Sequence, residues 1–552
     1  MQKGDQIMAD KQTEYVLPKV LAAQAEKHPD RLFIQMEDFQ QETYRQCYER
    51  SLRLASGLAA LGIDKGEKVV IMAPTSLQFV HSWFAINILG AVEVPINTAY
   101  RGQSLIHALN NSTAPMIIID PQFLGRLQEV EDQLQYLKQA VFLDGFDVTS
   151  LPKFRKIRLI PFSEVESADT DLKLRDISYK DTASIIYTSG TTGPAKGVMM
   201  PHGQIYLLAK NALDGFRLTE NDVYHVFLPL FHMAGKFMMI YAAMMAGCKV
   251  VLDRKFHAEE WLSRVRKYGA TISGGHGPFL EMIYRQPEQE NDADNPLRAV
   301  FAAPFPAKIA KGFEKRFGVK GIELWGMTEI NCPCYRPYDE PLRVGSCGKV
   351  LEDWYEVKIV DPLTDEEIPA GEVGEIVVRP KYPWTMMQGY FGMPEKTVEA
   401  WRNLWFHTGD MAYFDRDGYL YFVDRAKDRI RRRAENISSS EIEAAVNSHP
   451  LIEESAAVGV PSEFDADDDI KIYVVVRQGS SLEPEELIRY LVTLLPHYMV
   501  PRYIEYIDRL PRTDTNKIQK AKLRQFGVTK ATWDRKAEGV SIRDLIERAG
   551  KK

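Results

Sequence analysis

Short apolar runs of strand length recur through the first third of this chain, each separated from the next by a longer stretch. Lys68-Val69-Val70-Ile71-Met72-Ala73, Val92-Glu93-Val94-Pro95, Pro115-Met116-Ile117-Ile118-Ile119-Asp120, Ala140-Val141-Phe142-Leu143 and Ala183-Ser184-Ile185-Ile186 read as buried strands. Residues 17–62 carry two amphipathic helical patterns. The second, Tyr44 to Leu61, repeats Leu52, Leu54, Leu58 and Leu61 at helical spacing and stops at Gly62, while Leu77 to Leu89 closes at Gly90. Buried strands joined through helices imply parallel sheets covered on both faces, so the expected fold class is α/β.

At 552 residues the chain has room for about three or four modules and a large core. Hydrophobic content of 45% and charged content of 26% are those of a globular protein. The net charge of -7 argues against a general nucleic-acid binder, which wants a basic surface. The opening Met1-Gln2-Lys3-Gly4-Asp5-Gln6 has no signal-peptide apolar core, and no apolar run reaches the length of a membrane span. Five cysteines, scattered except for Cys332 and Cys334, point to a reducing compartment, and a cytoplasmic location is expected. Cys332-Pro333-Cys334 is too tight for a usual zinc spacing and reads as structural.

The chemistry begins where the Ala183–Ile186 strand runs into Tyr187-Thr188-Ser189-Gly190-Thr191-Thr192-Gly193-Pro194-Ala195-Lys196-Gly197-Val198. Four hydroxyl side chains and two glycines fall within seven residues, followed by a lysine and a third glycine. Glycines let the backbone approach a bulky anion, hydroxyls and N–H groups donate to phosphate oxygens, and Lys196 adds a mobile cation. An ordinary surface loop would account for the glycines but not for the dense hydroxyls with a lysine beside them. A Walker A loop is excluded, because Gly197 rather than serine or threonine follows Lys196.

Three later motifs follow in order. Leu324-Trp325-Gly326-Met327-Thr328-Glu329 offers an aromatic ring, a close-approach glycine, a hydroxyl and a hard carboxylate ligand. Trp405-Phe406-His407-Thr408-Gly409-Asp410 ends in a carboxylate able to accept from vicinal hydroxyls. Leu510-Pro511-Arg512-Thr513-Asp514-Thr515-Asn516-Lys517-Ile518-Gln519-Lys520 carries a lysine on a turn. Alone, each has an ordinary structural explanation as a helix cap, a plain turn or a solvated charge. As an ordered set they resemble the AMP-forming adenylating superfamily of acyl-CoA synthetases, luciferases and peptide-synthetase adenylation domains. The resemblance covers the chain from about residue 15 to about residue 525. In style it is closest to the carnitine/crotonobetaine-CoA ligase-like branch.

That resemblance implies a large N-terminal domain, residues 1–427, of parallel-type sheets covered by helices plus a small β-barrel, and a small mobile α+β C-terminal domain, residues 428–552, hinged at Asp428. The alternating segments of residues 355–391 fit a small β-barrel or an edge sheet. The nucleotide would lie against Thr188, Ser189, Gly190, Thr191, Thr192, Gly193 and Lys196, the turn Ala302-Ala303-Pro304, Trp325, Gly326, Met327 and Thr328, with Asp410, Phe422 and Arg425 beyond. Glu329 would hold Mg²⁺, and Lys517 would reach the carboxylate and α-phosphate during adenylation. Pro229-Leu230-Phe231-His232 and Gly274-Gly275-His276-Gly277 resemble pocket segments, which assigns His232, Gly275 and His276 to the acyl group. Arg431, Arg432 or Arg433, with Ala434 and Glu435, would meet coenzyme A.

Departures from the family pattern localise what is particular to this chain. Phe301 stands where a glycine is usual and would fill acyl volume, pointing to a compact or flat acid. Trp325 replaces tyrosine, and Asn516 replaces a glycine in a turn that asparagine tolerates. Ala434 replaces a glycine lining the thiol tunnel, a change that bears on the thioester step. The expected activity is an ATP-dependent acyl-CoA ligase using a small-molecule carboxylic acid, ATP, Mg²⁺ and coenzyme A. Loading of a carrier protein, retention of a single half-reaction and a nucleotide-binding regulator are the alternatives. The sequence leaves a homodimer open.

Overall fold

The computed structural model describes residues 15–145, 151–168, 172, 175–188, 195–425, 430–432, 435–437, 439–462, 468–495, 499–513, 517–542 and 545. Local sequence sets the first helices. Thr43 and Gln46 form a reciprocal capping box at the start of Tyr44–Ala60, and Gly62 beyond its end takes φ 94°. Ser76 caps Leu77–Ile88, whose residues are nearly all buried, so this helix is apolar all round.

Two large sheets follow. The eight-stranded sheet runs Gly389–Tyr390, Lys196–Pro201, Thr182–Thr188, Val92–Pro95, Lys68–Met72, Met116–Ile119, Gln139–Phe142 and Arg158–Pro161. It is parallel from Thr182–Thr188 to Arg158–Pro161, and antiparallel where Thr182–Thr188 folds back as a hairpin onto Lys196–Pro201. The fourteen-stranded sheet has a parallel half that includes Val223–Val226, Ile272–His276, Ala299–Ala303 and Lys320–Met327.

Among the described residues the expected small barrel does not close. The Lys320–Met327 strand pairs parallel with Ala299–Ala303 along its first part and antiparallel with Asn331–Tyr335 along its second. The later strands therefore extend the same ladder, through Gly348–Val350, Tyr419–Arg425, Trp405–Phe414 and Gly374–Pro380, to Tyr355–Val360 at the edge. Among the described residues no pairing closes that edge back on the sheet.

The sheets are tied through the interior. After Pro229-Leu230-Phe231-His232 the chain enters a π-helix, Ala234–Tyr241, and Lys236 on it pairs with Glu93 in the other sheet. Ser184, on the strand Thr182–Thr188, donates to Glu93 at 3.0 Å. Burial lowers the Lys236 ammonium to about 8, against the pull of Glu93, and raises the Glu93 carboxyl. No helix among the described residues is long and apolar enough to cross a membrane.

Toward the C-terminus, Ile452–Pro461, Asp468–Val476, Tyr503–Tyr506 and Trp533–Asp534 form a four-stranded sheet. The helices Ser439–Val446 and Pro484–Leu491 contribute Ile442, Val446, Leu487 and Ile488 to a core with Ile470, Ile472 and Val474, distinct from the core of the large sheets.

Candidate functional site

The functional candidates converge at the C-terminal ends of the parallel strands, where α/β sheets open a crevice. In register, Gly274 opposes Phe301, Gly275 opposes Ala302 and His276 opposes Ala303. Gly274 takes φ 110°, and a Cβ on it would lie 2.4 Å from the Phe301 carbonyl oxygen, so the two strands need a glycine there. A Cβ on Gly275 would come 3.1 Å from the Phe227 ring and 3.2 Å from the Phe279 ring. His276 Nδ1 donates to the Ala303 carbonyl at 3.1 Å, which fixes its tautomer. Its ring centroid lies 5.5 Å from that of His232 and 5.8 Å from that of Phe301, both edge-on. The sequence-derived acyl residues are thus neighbours, with Phe301 fully buried.

Burial holds both histidines neutral: His232 is lowered to about 3, with the nearby charges of His276 and Lys517 acting in the same sense. His276 is lowered by burial and by Lys517, against its bond to Ala303. The charge of Lys517, exposed on the C-terminal unit, thus acts on both members of this histidine pair. Its turn is held locally: Thr513 N donates to the Lys517 carbonyl at 2.7 Å, and Lys517 N donates to Thr513 Oγ1 at 3.1 Å.

The nucleotide side lies along the next strand. Trp325 Nε1 donates to Asp410 Oδ2 at 3.0 Å, both residues being buried. Asp410 pairs in backbone register with Arg425, and Phe422, on the same strand, is 40% exposed. Gly326 packs so tightly that a Cβ would lie 2.0 Å from the Asn331 carbonyl oxygen. Ala302 is buried, whereas Pro304 is exposed at the turn, and Met327 opposes Asn331. Gln204 Nε2 donates to the Thr328 carbonyl at 2.9 Å, which anchors the residue before Glu329.

Thr188 and Lys196 face each other across the hairpin, with Thr188 Oγ1 3.4 Å from the Lys196 carbonyl that it donates to. Lys196 Nζ sits 4.1 Å from the centroid of the Tyr390 ring, and Tyr390 Oη donates to Glu329 Oε1 at 2.9 Å. Ser189, Gly190, Thr191, Thr192 and Gly193 lie outside the described residues, as do Asp428, Arg433 and Ala434. Arg431 and Arg432 form a short antiparallel pair with Glu435 and Asn436. Magnesium fits the donor chemistry: Glu329 supplies a buried carboxylate, the hard oxygen ligand that this ion takes.

Two residues here escape the sequence reading. Tyr390 carries no spacing signal at all, because its partners come from distant segments. Glu323, two residues before Trp325, is raised to about 8 by burial, and its Oε2 has no hydrogen-bond partner among the described residues. A carboxylate inside the otherwise apolar run Gly321-Ile322-Glu323-Leu324-Trp325 is the signal that could have found it.

The chain belongs to the AMP-binding enzyme family, whose model matches residues 21–391, with the AMP-binding enzyme C-terminal domain matching residues 441–517. Feruloyl-CoA synthase of an Amycolatopsis species is 33% identical over 491 residues, covering 88% of this chain and 94% of that protein. Crotonobetaine/carnitine–CoA ligase of Salmonella paratyphi B is 31% identical over 488 residues, covering 88% of this chain and 93% of that protein. The crystal structure of an anthranilate CoA ligase in complex with anthranoyl-AMP superimposes with a TM-score of 0.82 at 25% identity, covering 93% of this chain and 97% of that one.

Proposed function

We propose that this protein is an AMP-forming acid–thiol ligase that activates a compact or flat carboxylic acid with ATP and transfers the acyl group to coenzyme A. The observations that support the reading are the Lys196–Tyr390–Glu329 contacts, the Trp325–Asp410 hydrogen bond and the action of the Lys517 charge on the His232–His276 pair, in a chain of the AMP-binding family. The relatives act on acids that differ widely in shape, so the acid class rests on Phe301 and its packing against His276.

In the first half-reaction a carboxylate oxygen of the acid bonds to the α-phosphorus of ATP. The bond to the β-phosphate bridging oxygen breaks, and pyrophosphate leaves. Lys196 and the hydroxyls of the loop bind the phosphates, Thr328 lies beside the α-phosphate, and Lys517 meets the incoming carboxylate as charge develops. Magnesium bound at Glu329 would supply charge neutralisation on the phosphates. Asp410 with Arg425 orients the ribose, and Trp325 and the Ala302–Pro304 turn form the adenine wall. His232 and His276, neutral at physiological pH, shape the acyl cavity without adding a charge that would pin the substrate carboxylate away from the α-phosphorus.

In the second half-reaction the thiol sulfur of coenzyme A bonds to the acyl carbon, its proton is lost to solvent, and AMP leaves. A rotation of residues 428–552 about Asp428 would withdraw Lys517 and open the thiol route. The separate C-terminal core supports a unit able to move as one body. Five free, buried cysteines support action in a reducing compartment such as the cytoplasm.

Mass spectrometry of a reaction with ATP, Mg²⁺, coenzyme A and a graded panel of carboxylic acids tests the reading. Acyl-CoA together with AMP is expected for short or flat acids. Acyl-AMP that accumulates without acyl-CoA would redirect the acceptor to a carrier-protein thiol. Ligand-induced thermal stabilisation without pyrophosphate release would overturn the enzyme.

A further inference from the structure

Tyr390 joins the two ends of the phosphate side. Its hydroxyl donates to Glu329 Oε1 at 2.9 Å, and its ring lies under the Lys196 ammonium, 4.1 Å from centroid to Nζ. Neither contact is left to a loose side chain. The residue is 4% exposed and sits in the two-residue strand Gly389–Tyr390, paired with Val198 on the same strand that begins with Lys196. Its backbone N–H donates to Thr397 Oγ1 at 2.9 Å, and Met387 N, three residues earlier, donates to the Glu329 carbonyl at 3.0 Å. One short segment is therefore hydrogen-bonded both to the lysine's strand and to the main chain of the glutamate.

We propose that Tyr390 is a positioning residue for the adenylating step: its hydroxyl orients the Glu329 carboxylate for a divalent cation, while its ring seats the Lys196 ammonium for the phosphates. The inference rests on the reading of Glu329 as the metal carboxylate and extends it to what aims that carboxylate. A hydrogen bond to one oxygen fixes the rotation of the carboxylate, and partners of that kind tune metal affinity strongly. The aromatic face holds a cation without neutralising it, so the lysine keeps its charge for the phosphates. The two tasks use different parts of one side chain and can be separated by substitution.

The test is Mn²⁺ binding read by electron paramagnetic resonance, with α,β-methylene-ATP in the site because it cannot be cleaved between the α- and β-phosphorus. Y390F keeps the ring and removes the hydroxyl. It is expected to raise the Mn²⁺ dissociation constant about tenfold or more, while analogue affinity at saturating Mn²⁺ and the Tm stay at wild-type values. Y390L is expected to weaken Mn²⁺ equally and to weaken the analogue about tenfold besides. E329Q serves as the reference for loss of the carboxylate. Loss of Mn²⁺ affinity in E329Q but not in Y390F would overturn the role of the hydroxyl. Equal analogue affinity in Y390L and Y390F would overturn the role of the ring. Unchanged Mn²⁺ affinity in E329Q would remove the assignment of Glu329 beneath it, and the proposal with it.

Discussion

At Phe301 a phenyl ring occupies the middle of a strand that borders the acyl side, with the His276 ring against it. Removing the ring opens volume that neighbouring backbone cannot refill, because Gly274 already lies against the Phe301 main chain. Phe301→Gly is therefore expected to shift the preferred acid toward longer chains, with kcat/KM for the best short acid falling about tenfold. An unchanged length profile would sink the compact-acid reading. His202 makes a different residue-scale prediction. It is fully buried, neither ring nitrogen has a partner among the described residues, and burial lowers it to about 3, against the pull of Asp181. The unfolded imidazole takes up its proton near 6.5. The unfolded state thus binds more protons between these values, so this stability is complete above about 6.5 and is lost as pH falls toward about 3. His202→Leu should flatten the fall of Tm between pH 6.5 and 4, as followed by thermal unfolding. It should not abolish that fall, since Glu42 and Glu131, lowered from an ordinary value of 4.5, begin to act in the same direction at the acid end of that window.

The element that matters most is the Lys320–Met327 strand. It carries Trp325 and Gly326 toward the nucleotide side while changing partner from a parallel to an antiparallel neighbour, with an irregularity in register between Trp325 and Met327. A methyl group on Gly326 would meet the Asn331 carbonyl oxygen and the Cys332 Cα, main-chain atoms that cannot rotate away. Gly326→Ala should cost about 3 kcal/mol, visible as a lower Tm, and should weaken ATP binding with it. A Tm equal to wild type would show that the strand yields more easily than its packing indicates. Single elements of this kind were largely legible in the sequence. The helix read at Tyr44–Leu61 spans Tyr44–Ala60, and the strand read at Lys68–Ala73 spans Lys68–Met72. Periodicity and caps are local signals, so they survive without knowledge of neighbours. Alternation in residues 355–391 says that one face of a strand is buried, but not which strand it pairs with, and so the expected barrel became an extension of the larger sheet. The motifs located the lysines and Glu329, yet the Tyr390 contacts join separate segments, and no spacing records them.

At the scale of the whole molecule, Lys517 belongs to one unit and the crevice to another. If the C-terminal unit supplies this lysine for one step only, Lys517→Ala should divide the reaction. Pyrophosphate release with acid and ATP should fall about a hundredfold or more, while conversion of supplied acyl-AMP and coenzyme A to acyl-CoA should stay near the wild-type rate. Equal loss of both half-reactions would argue that the lysine serves a single, fixed site. The shared Lys320–Met327 strand carries a last consequence. Phe301 and His276, proposed for the acyl group, stand on the first and second strands to one side of it, and Trp325, proposed for the nucleotide, stands on the strand itself. Adjacent strands lie about 4.8 Å apart, so the sheet acts as a ruler whose graduations are backbone hydrogen bonds. On the proposed reading, the offset between acid and nucleotide is inherited from the ladder, whichever acid is used. A new substrate can be accommodated by exchanging side chains along the neighbouring strands, with the geometry of phosphoryl attack left untouched.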